Sequence, residues 1–251
     1  MTMRLVLAAS IFALAGCGQP APPPPLPEPP ARVSPEPWFI CDAINMPAVL
    51  VFIRDSAGVE IAHYDKPNGA LVQRSRYQLG GEAGTDTRVD VALLQNGTEA
   101  GAIGRLNTGA LEAPTSAYTP PFVSVRLGQS EAQCRWMPRT RVLGVTGKRT
   151  LVLHEDGDGD LIYTAYDFTD AAQAQPVELS NNARTTSFSV EVRGGEEHVG
   201  ADGESYRFAA GPIAYSISLE RNGEGALQVT GTPTPQPAEP FIAFQRGVGL
   251  D

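Results

Sequence analysis

The chain has 251 residues, with 28 Asp and Glu against 19 Lys and Arg and a formal net charge of −9. An acidic balance of this size excludes an electrostatic nucleic-acid binder, which needs a basic face. It suits a cationic partner, or simple solubility.

Residues 1–16 carry one charge, Arg4, followed by an apolar stretch from Leu5 to Ala15. That stretch is too short to span a bilayer but has the length of a signal-peptide core. Small residues, Ala15 and Gly16, precede Cys17. The run Leu14-Ala15-Gly16-Cys17 resembles the lipobox of bacterial lipoproteins. The resemblance implies removal of residues 1–16, acylation (palmitate) of Cys17 and anchorage in a lipid membrane. Gly18, where Asp would favour the inner membrane, implies the outer membrane of the bacterial envelope, with the folded part in the periplasm. An ordinary secreted protein with a chance cysteine is the alternative. Loss of Arg4 leaves 28 acidic against 18 basic residues, or −10.

Residues 17–37 follow as a lipidated cysteine and a linker. Ten of the 22 prolines fall between Gly18 and Pro37, a composition that cannot bury a core and favours extended polyproline II. At about 3.1 Å per residue the linker reaches on the order of 60 Å, the dimensions of a stalk. A ligand for a proline-binding domain is the alternative.

Lipidation uses Cys17, which leaves Cys41 and Cys134 as a pair in an exported protein. A disulfide between them is expected, closing a loop of 93 positions (134 − 41). A zinc site is the competing reading, but no histidine pair lies nearby at ligand spacing.

From Trp38 onward nearly everything reads as β. Alternating or β-branched runs include "AVLVFIR", "VEIAHYD", "ALVQRSRYQL", "RVDVALLQ", "FVSVRLG", "AQCRWM", "RTLVLHE", "DLIYTAYD", "TSFSVEV", "ESYRFAAG", "IAYSISLER", "ALQVTG" and "FIAFQRG". Turn formers such as "DSAG", "KPNG", "QNGT", "DGDG" and "RNGEG" separate them. Only "DFTDAAQAQP" offers a single helical turn. The expected fold is all-β: one or two small antiparallel β-barrel or sandwich units after a disordered proline-rich stalk. A boundary near Pro138–Thr140 divides residues 38–139, stapled by the disulfide, from residues 140–251; one continuous unit is the alternative.

"HEDGDGDLIY" is the most suggestive segment chemically. Asp156, Asp158 and Asp160 alternate, and Asp167 stands at the twelfth position, as in a calcium loop. The sixth position is Leu161 where that loop wants Gly, and both flanks read as strands, so a metal-free hairpin tip is the preferred reading. "GVTGKRT" lacks the first Gly and the Ser or Thr of a phosphate loop. His63, His154 and His198 are scattered, and there is no G-x-S-x-G. No catalytic residue is assigned and no cofactor is expected, with calcium as the one candidate.

Residues 39–134, with "FICDAI" at the start and a later cysteine closing a small β unit, resemble the membrane-bound inhibitors of C-type lysozyme. The resemblance implies a small β-barrel lipoprotein that blocks a cationic lysozyme. That family's Ser-Gly-x-x-Tyr and Trp-x-Lys-Gly segments have only "SAYTPP" (Ser116, Tyr118) and "FVSVRLGQSEA" as counterparts, so no inhibitory residue is carried over. Two functions follow: a membrane-anchored envelope lipoprotein acting as a binding module, or an envelope hydrolase whose site assembles in space.

Overall fold

The structure, a computed structural model, describes residues 36–111, 113–168 and 188–247. The expected signal peptide, Cys17, the part of the expected stalk before Glu36 and most of "DFTDAAQAQP" lie outside these residues. Seventeen strands and no α-helix are found among the described residues, so the all-β expectation holds.

The first sheet is an antiparallel meander in chain order: β1 (Phe39–Asp42), β2 (Ala48–Asp55), β3 (Gly58–Asp65), β4 (Ala70–Gly84), β5 (Arg88–Gln95), β6 (Thr98–Leu106), β7 (Phe122–Leu127) and β8 (Ser130–Gln133). Asn96 and Gly97, at φ 53° and 77°, make the tight turn between β5 and β6. The sheet curls until its edges meet. Ala43 bridges to Cys134, the Ile44 amide donates to the Gln133 carbonyl (2.8 Å), and the Arg135 amide donates to that of Asp42 (2.9 Å). The expected Cys41–Cys134 disulfide closes this seam, with Cα atoms 4.7 Å apart.

The second sheet contains β9 (Thr140–Thr146), β10 (Arg149–Glu155), β11 (Leu161–Asp167), β12 (Val190–Arg193), β13 (Glu196–Val199), β14 (Gly203–Ala210), β15 (Ile213–Glu220), β16 (Gly225–Thr230) and β17 (Glu239–Arg246). Its order is β12-β11-β10-β9-β17-β16-β15-β14-β13, and only Gly194 and Gly195 separate the two edge strands along the chain. One bent stretch therefore supplies both edges: residues 190–193 pair with β11, and residues 196–199 pair with β14. In the first sheet β4 bends in the same way. It pairs with β3 up to Tyr77 and with β5 from Gln78 onward, and its register shifts across Gly80 and Gly81. Each bend reads Gly-Gly-Glu in the sequence. At Gly195 a Cβ would sit 2.2 Å from the Phe208 ring, so the bend needs glycine for close approach. Strand for strand, both sheets repeat one curled meander.

Besides β1, which holds "FICD" of the opening segment, three strands are absent from the runs read in the sequence. Glycines dilute the β pattern of β6 and β9, and they are there because neighbours crowd them: a Cβ on Gly101 would lie 2.2 Å from the Arg126 carbonyl oxygen, and one on Gly144 would lie 2.8 Å from the Phe241 ring. The third, β13, reads Glu-Glu-His-Val, too charged to signal a strand. The run "AQCRWM" also ends early, because β8 stops at Gln133 where the seam begins.

Each sheet wraps its own core, and a third cluster joins them. Phe39 stacks between Phe52 and Phe122 in the first core, at centroid distances of 3.9 and 4.1 Å. Tyr163 stacks on Tyr215 in the second, at 4.9 Å. Between the sheets, Val49, Val51 and Tyr64 pack against Leu143, Val152 and Tyr166. Strand β2 is thus buried on both faces, with Leu50 and Phe52 turned to the first core and Val49 and Val51 to the second sheet. The turns touch as well: a Cβ on Gly69 (φ +65°) would lie 2.6 Å from the Cα of Gly147.

Asp42, fully buried, lies at this junction. Its carboxylate meets Lys66 Nζ at 2.6 Å and Arg135 Nε at 2.7 Å, and both cations are themselves buried. Arg135 also lays its guanidinium 3.4 Å from the centre of the Tyr166 ring in the second sheet. Burial alone would raise the Asp42 pKa, but Lys66 and Arg135 hold it below the usual carboxylate value. A carboxylate depressed in the folded state stabilises the protein above the unfolded pKa of about 3.9 and loses that contribution as pH falls through the folded value. Asp42→Asn, which leaves two buried cations without their counter-ion, is expected to cost about 3–5 kcal/mol in urea unfolding at pH 7. The difference from the parent should begin to shrink below the unfolded pKa of about 3.9 and go on shrinking as pH falls through the lower folded value, where the parent's carboxylate also protonates; a pH-independent difference would show that the charge is not the cause.

Candidate functional site

The strand pairing brings three turns of the second sheet to one end. The tip of β10–β11 (156–160) lies beyond the Glu155–Leu161 pair, and β17 runs toward the same end, with Arg246 opposite Val142 of β9. Ala226 of β16 pairs with Pro240, which turns the β15–β16 connection toward that end. There Arg246 Nη2 donates to the Glu220 carbonyl (3.0 Å). The third turn, β13–β14, is tied alongside: the Arg221 amide donates to the Asp202 carbonyl (3.0 Å).

These turns are acidic. The turns and the strand ends beside them carry Asp156, Asp158, Asp160, Asp202, Glu204, Glu220 and Glu224, against Arg221 in a turn and Arg139, Arg193 and Arg246, which reach Asp156 and Glu220 from alongside. The whole chain is polarised in the same sense. Residues 38–139 hold nine basic and ten acidic residues (−1), whereas residues 140–251 hold eight and sixteen (−8). Almost all of the net charge belongs to the second sheet's part of the chain.

A polar network knits the rim of this end. Arg141 reaches Glu155 of β10 (2.5 Å) and Glu197 of β13 (3.3 Å). Tyr206 places its hydroxyl 3.1 Å from Glu197 and 2.9 Å from Glu204. Burial raises the Tyr206 pKa, and the two carboxylates raise it further, so the phenol stays protonated. One phenolic proton can satisfy only one of the two carboxylates at a time. The first sheet contributes Tyr118, whose hydroxyl donates to Glu155 (3.0 Å), a bond that raises the Tyr118 pKa. Val199, 66 % exposed, stands among these acids at the end of β13.

The residues singled out by sequence fall as follows. Cys17 is outside the described residues, and Cys41 and Cys134 form the disulfide. Asp156, Asp158 and Asp160 occupy a hairpin tip, where the Asp156 carboxylate accepts the amides of Asp158 (2.9 Å) and Asp160 (3.0 Å). Those bonds hold its pKa below the ordinary value. Asp167 is not with them. It pairs with Arg149 at the far end of β11 (2.9 Å), six strand residues from Leu161 and so about 20 Å away. The structure therefore does not assemble the four carboxylates into the candidate calcium cage.

The three histidines lie on β3, β10 and β13, and none is hydrogen-bonded to a serine or carboxylate among the described residues. "GVTGKRT" forms the β9–β10 turn, where the Thr146 hydroxyl accepts the amides of Lys148 and Arg149 (both 3.1 Å). Ser116 bonds to the Ala113 carbonyl (2.6 Å) within its own short turn. A cavity of about 10 Å³ between the sheets, lined in part by Phe39, Arg135, Trp136, Thr140 and Gln245, has room for at most one water. Small-molecule sites run to roughly 300–1,000 Å³.

Sequence reading missed Arg141, Glu197, Val199, Glu204 and Tyr206. The available signal was the charge imbalance between the two halves of the chain and the run "GGEEHVGADGE". No protein-family model matches the chain, and no curated protein or solved structure matches it.

The split between Asp167 and the tip carries a thermal test. Melting temperatures in calcium and in chelator are expected to coincide, for the parent and for Asp158→Asn alike. A calcium-dependent rise in the parent that Asp158→Asn removes would restore the cage.

Proposed function

We propose that this protein is a membrane-anchored envelope lipoprotein that works as a binding module for a cationic protein, a lysozyme being the model partner. The observation that carries the reading is the concentration of carboxylates on three adjoining turns at one end of the second sheet. Charges of one sign grouped on a surface steer an oppositely charged protein and raise its association rate. The lipobox-like run and the proline-rich segment support the anchor and the spacer. A folded part held off a membrane, with its turns free, is suited to meeting a macromolecule.

The binding test uses a C-type lysozyme and the chain from residue 36 onward. The association rate is expected to fall steeply between low and physiological salt. Asp158→Lys/Asp160→Lys/Asp202→Lys should lower it at least tenfold without changing the melting temperature much, since all three side chains are at turns. Binding that ignores both salt and charge reversal would refute the electrostatic reading.

The anchor is tested separately. Protein extracted from membranes should have an intact mass that starts at Cys17 and includes acyl chains. Recovery as a soluble species with unmodified Cys17 would remove the lipoprotein reading.

A further inference from the structure

We infer that the open edge of β13 takes up an extended, lysine- or arginine-bearing segment of the partner as an added strand. The inference rests on the cationic-partner reading and says how the partner is held.

Among the described residues β13 closes the strand order of its sheet and pairs only with β14. The phase of that ladder is set where the Gly200 amide donates to the Gly203 carbonyl (2.8 Å). In an antiparallel pair, bonded and non-bonded residues alternate, so Glu197 and Val199 turn their N–H and C=O groups to the open side. All four β13 residues are exposed, and Val199 at 66 % is more exposed than Val72, Phe188 or Leu71, the other large exposed hydrophobics among the described residues. An unpaired strand edge beside an exposed aliphatic group is what strand addition requires: main-chain bonds for affinity and side-chain contacts for selectivity.

Charge selects the occupant. Asp202 and Glu204 form no ion pair among the described residues, and neither do Asp158 and Asp160 on the neighbouring tip, while Glu196 stands opposite Arg207 in the ladder. That tip adjoins the start of β13, because the Leu161 carbonyl accepts the amides of Gly194 (3.0 Å) and Gly195 (3.4 Å). A strand laid along β13 would thus run between two rows of carboxylates. A second copy of this chain would bring the same acids against them and is repelled. Among the described residues the first half of β4 is also unpaired on one side, but Arg74 and Arg76 are already matched there by Glu60 and Asp55, and no charge is left to choose a partner.

The experiment uses an acetylated, amidated pentapeptide of alternating lysine and valine, and the same peptide N-methylated along one edge so that it cannot bond to a strand. Amide shifts in the full chain, carrying Cys17→Ser to keep it free of lipid, report binding. The parent peptide is expected to shift the amides of Glu197 and Val199 most, and N-methylation to weaken binding at least tenfold. Val199→Pro, which removes an open-side N–H without breaking the β14 ladder, should do the same; if that variant fails to fold, the methylated peptide still decides. Equal binding of both peptides, with binding lost in Asp158→Asn/Asp160→Asn/Asp202→Asn, overturns strand addition and leaves the cationic-partner reading intact. If neither peptide binds while lysozyme does, strand addition alone is wrong. Failure of the peptides and lysozyme together brings down both.

Discussion

Arg135 has contacts in both sheets, and the arrangement of the molecule depends on it. Its guanidinium neutralises the buried Asp42 of the first sheet and lies against the ring of Tyr166 in the second. It follows Cys134 directly, and its amide is bonded to the Asp42 carbonyl, so the disulfide and the ladder that close the first sheet also place this side chain. An arginine suits the position because its planar group can bond a carboxylate at the edge and stack by its face at once. A buried carboxylate with two cationic partners is tolerable only while all three are in place; losing one leaves an uncompensated charge in a low-dielectric interior. Seam closure in the first sheet and docking of the second are therefore coupled through one side chain.

That coupling determines which surfaces are left for function. Strands β1 to β3 spend their outward faces against β9, β10, β11 and β17, with Gln245 adding polar bonds to the Ile40 amide and the Trp38 carbonyl. The interiors of both sheets are filled by side chains, among them large aromatic groups. The ends, where turns project, stay open, as do the outward faces of β4, β14 and β15. The acids collect at one of the ends. Its rim is ordered by the Arg141, Glu155, Glu197 and Tyr206 network, which fixes β13 and the β10–β11 tip relative to each other.

Much of the fold was legible because each barrel-like sheet is made of hairpins, and hairpins announce themselves locally. Asn96-Gly97 between two alternating runs is one such signal. The disulfide was legible by elimination among three cysteines. Two of the missed strands, β6 and β9, have a physical reason in common: crowding selects glycine at Gly101 and Gly144, and glycine dilutes the pattern that reveals a strand. The unbroken apolar run "AVLVF" held information that alternation cannot express, since β2 is buried on both faces. The acidic end was illegible for a different reason. Asp158, Asp202 and Glu224 belong to three separate hairpins, and only the pairing of β16 with β17 and of β14 with β15 brings their turns to one side. Nearness in the sequence drew attention to Asp167 as a companion of the tip, and the ladder placed it at the opposite end.

An open strand edge is a hazard for any β protein, because it invites pairing with a copy of itself. The acids around β13 answer that hazard. Carboxylates on the tip, on β13 and on β14 flank the edge, and their repulsions sum against another acidic edge. Lysine is the usual guard at such positions, and it would repel cationic and self partners alike while leaving acidic ones free to approach. Guarding with glutamate and aspartate reverses that choice. Under the strand-addition proposal, copies of the chain would be held apart by the same field that draws in a basic strand, so selectivity against self and preference for a cationic partner would come from one set of side chains.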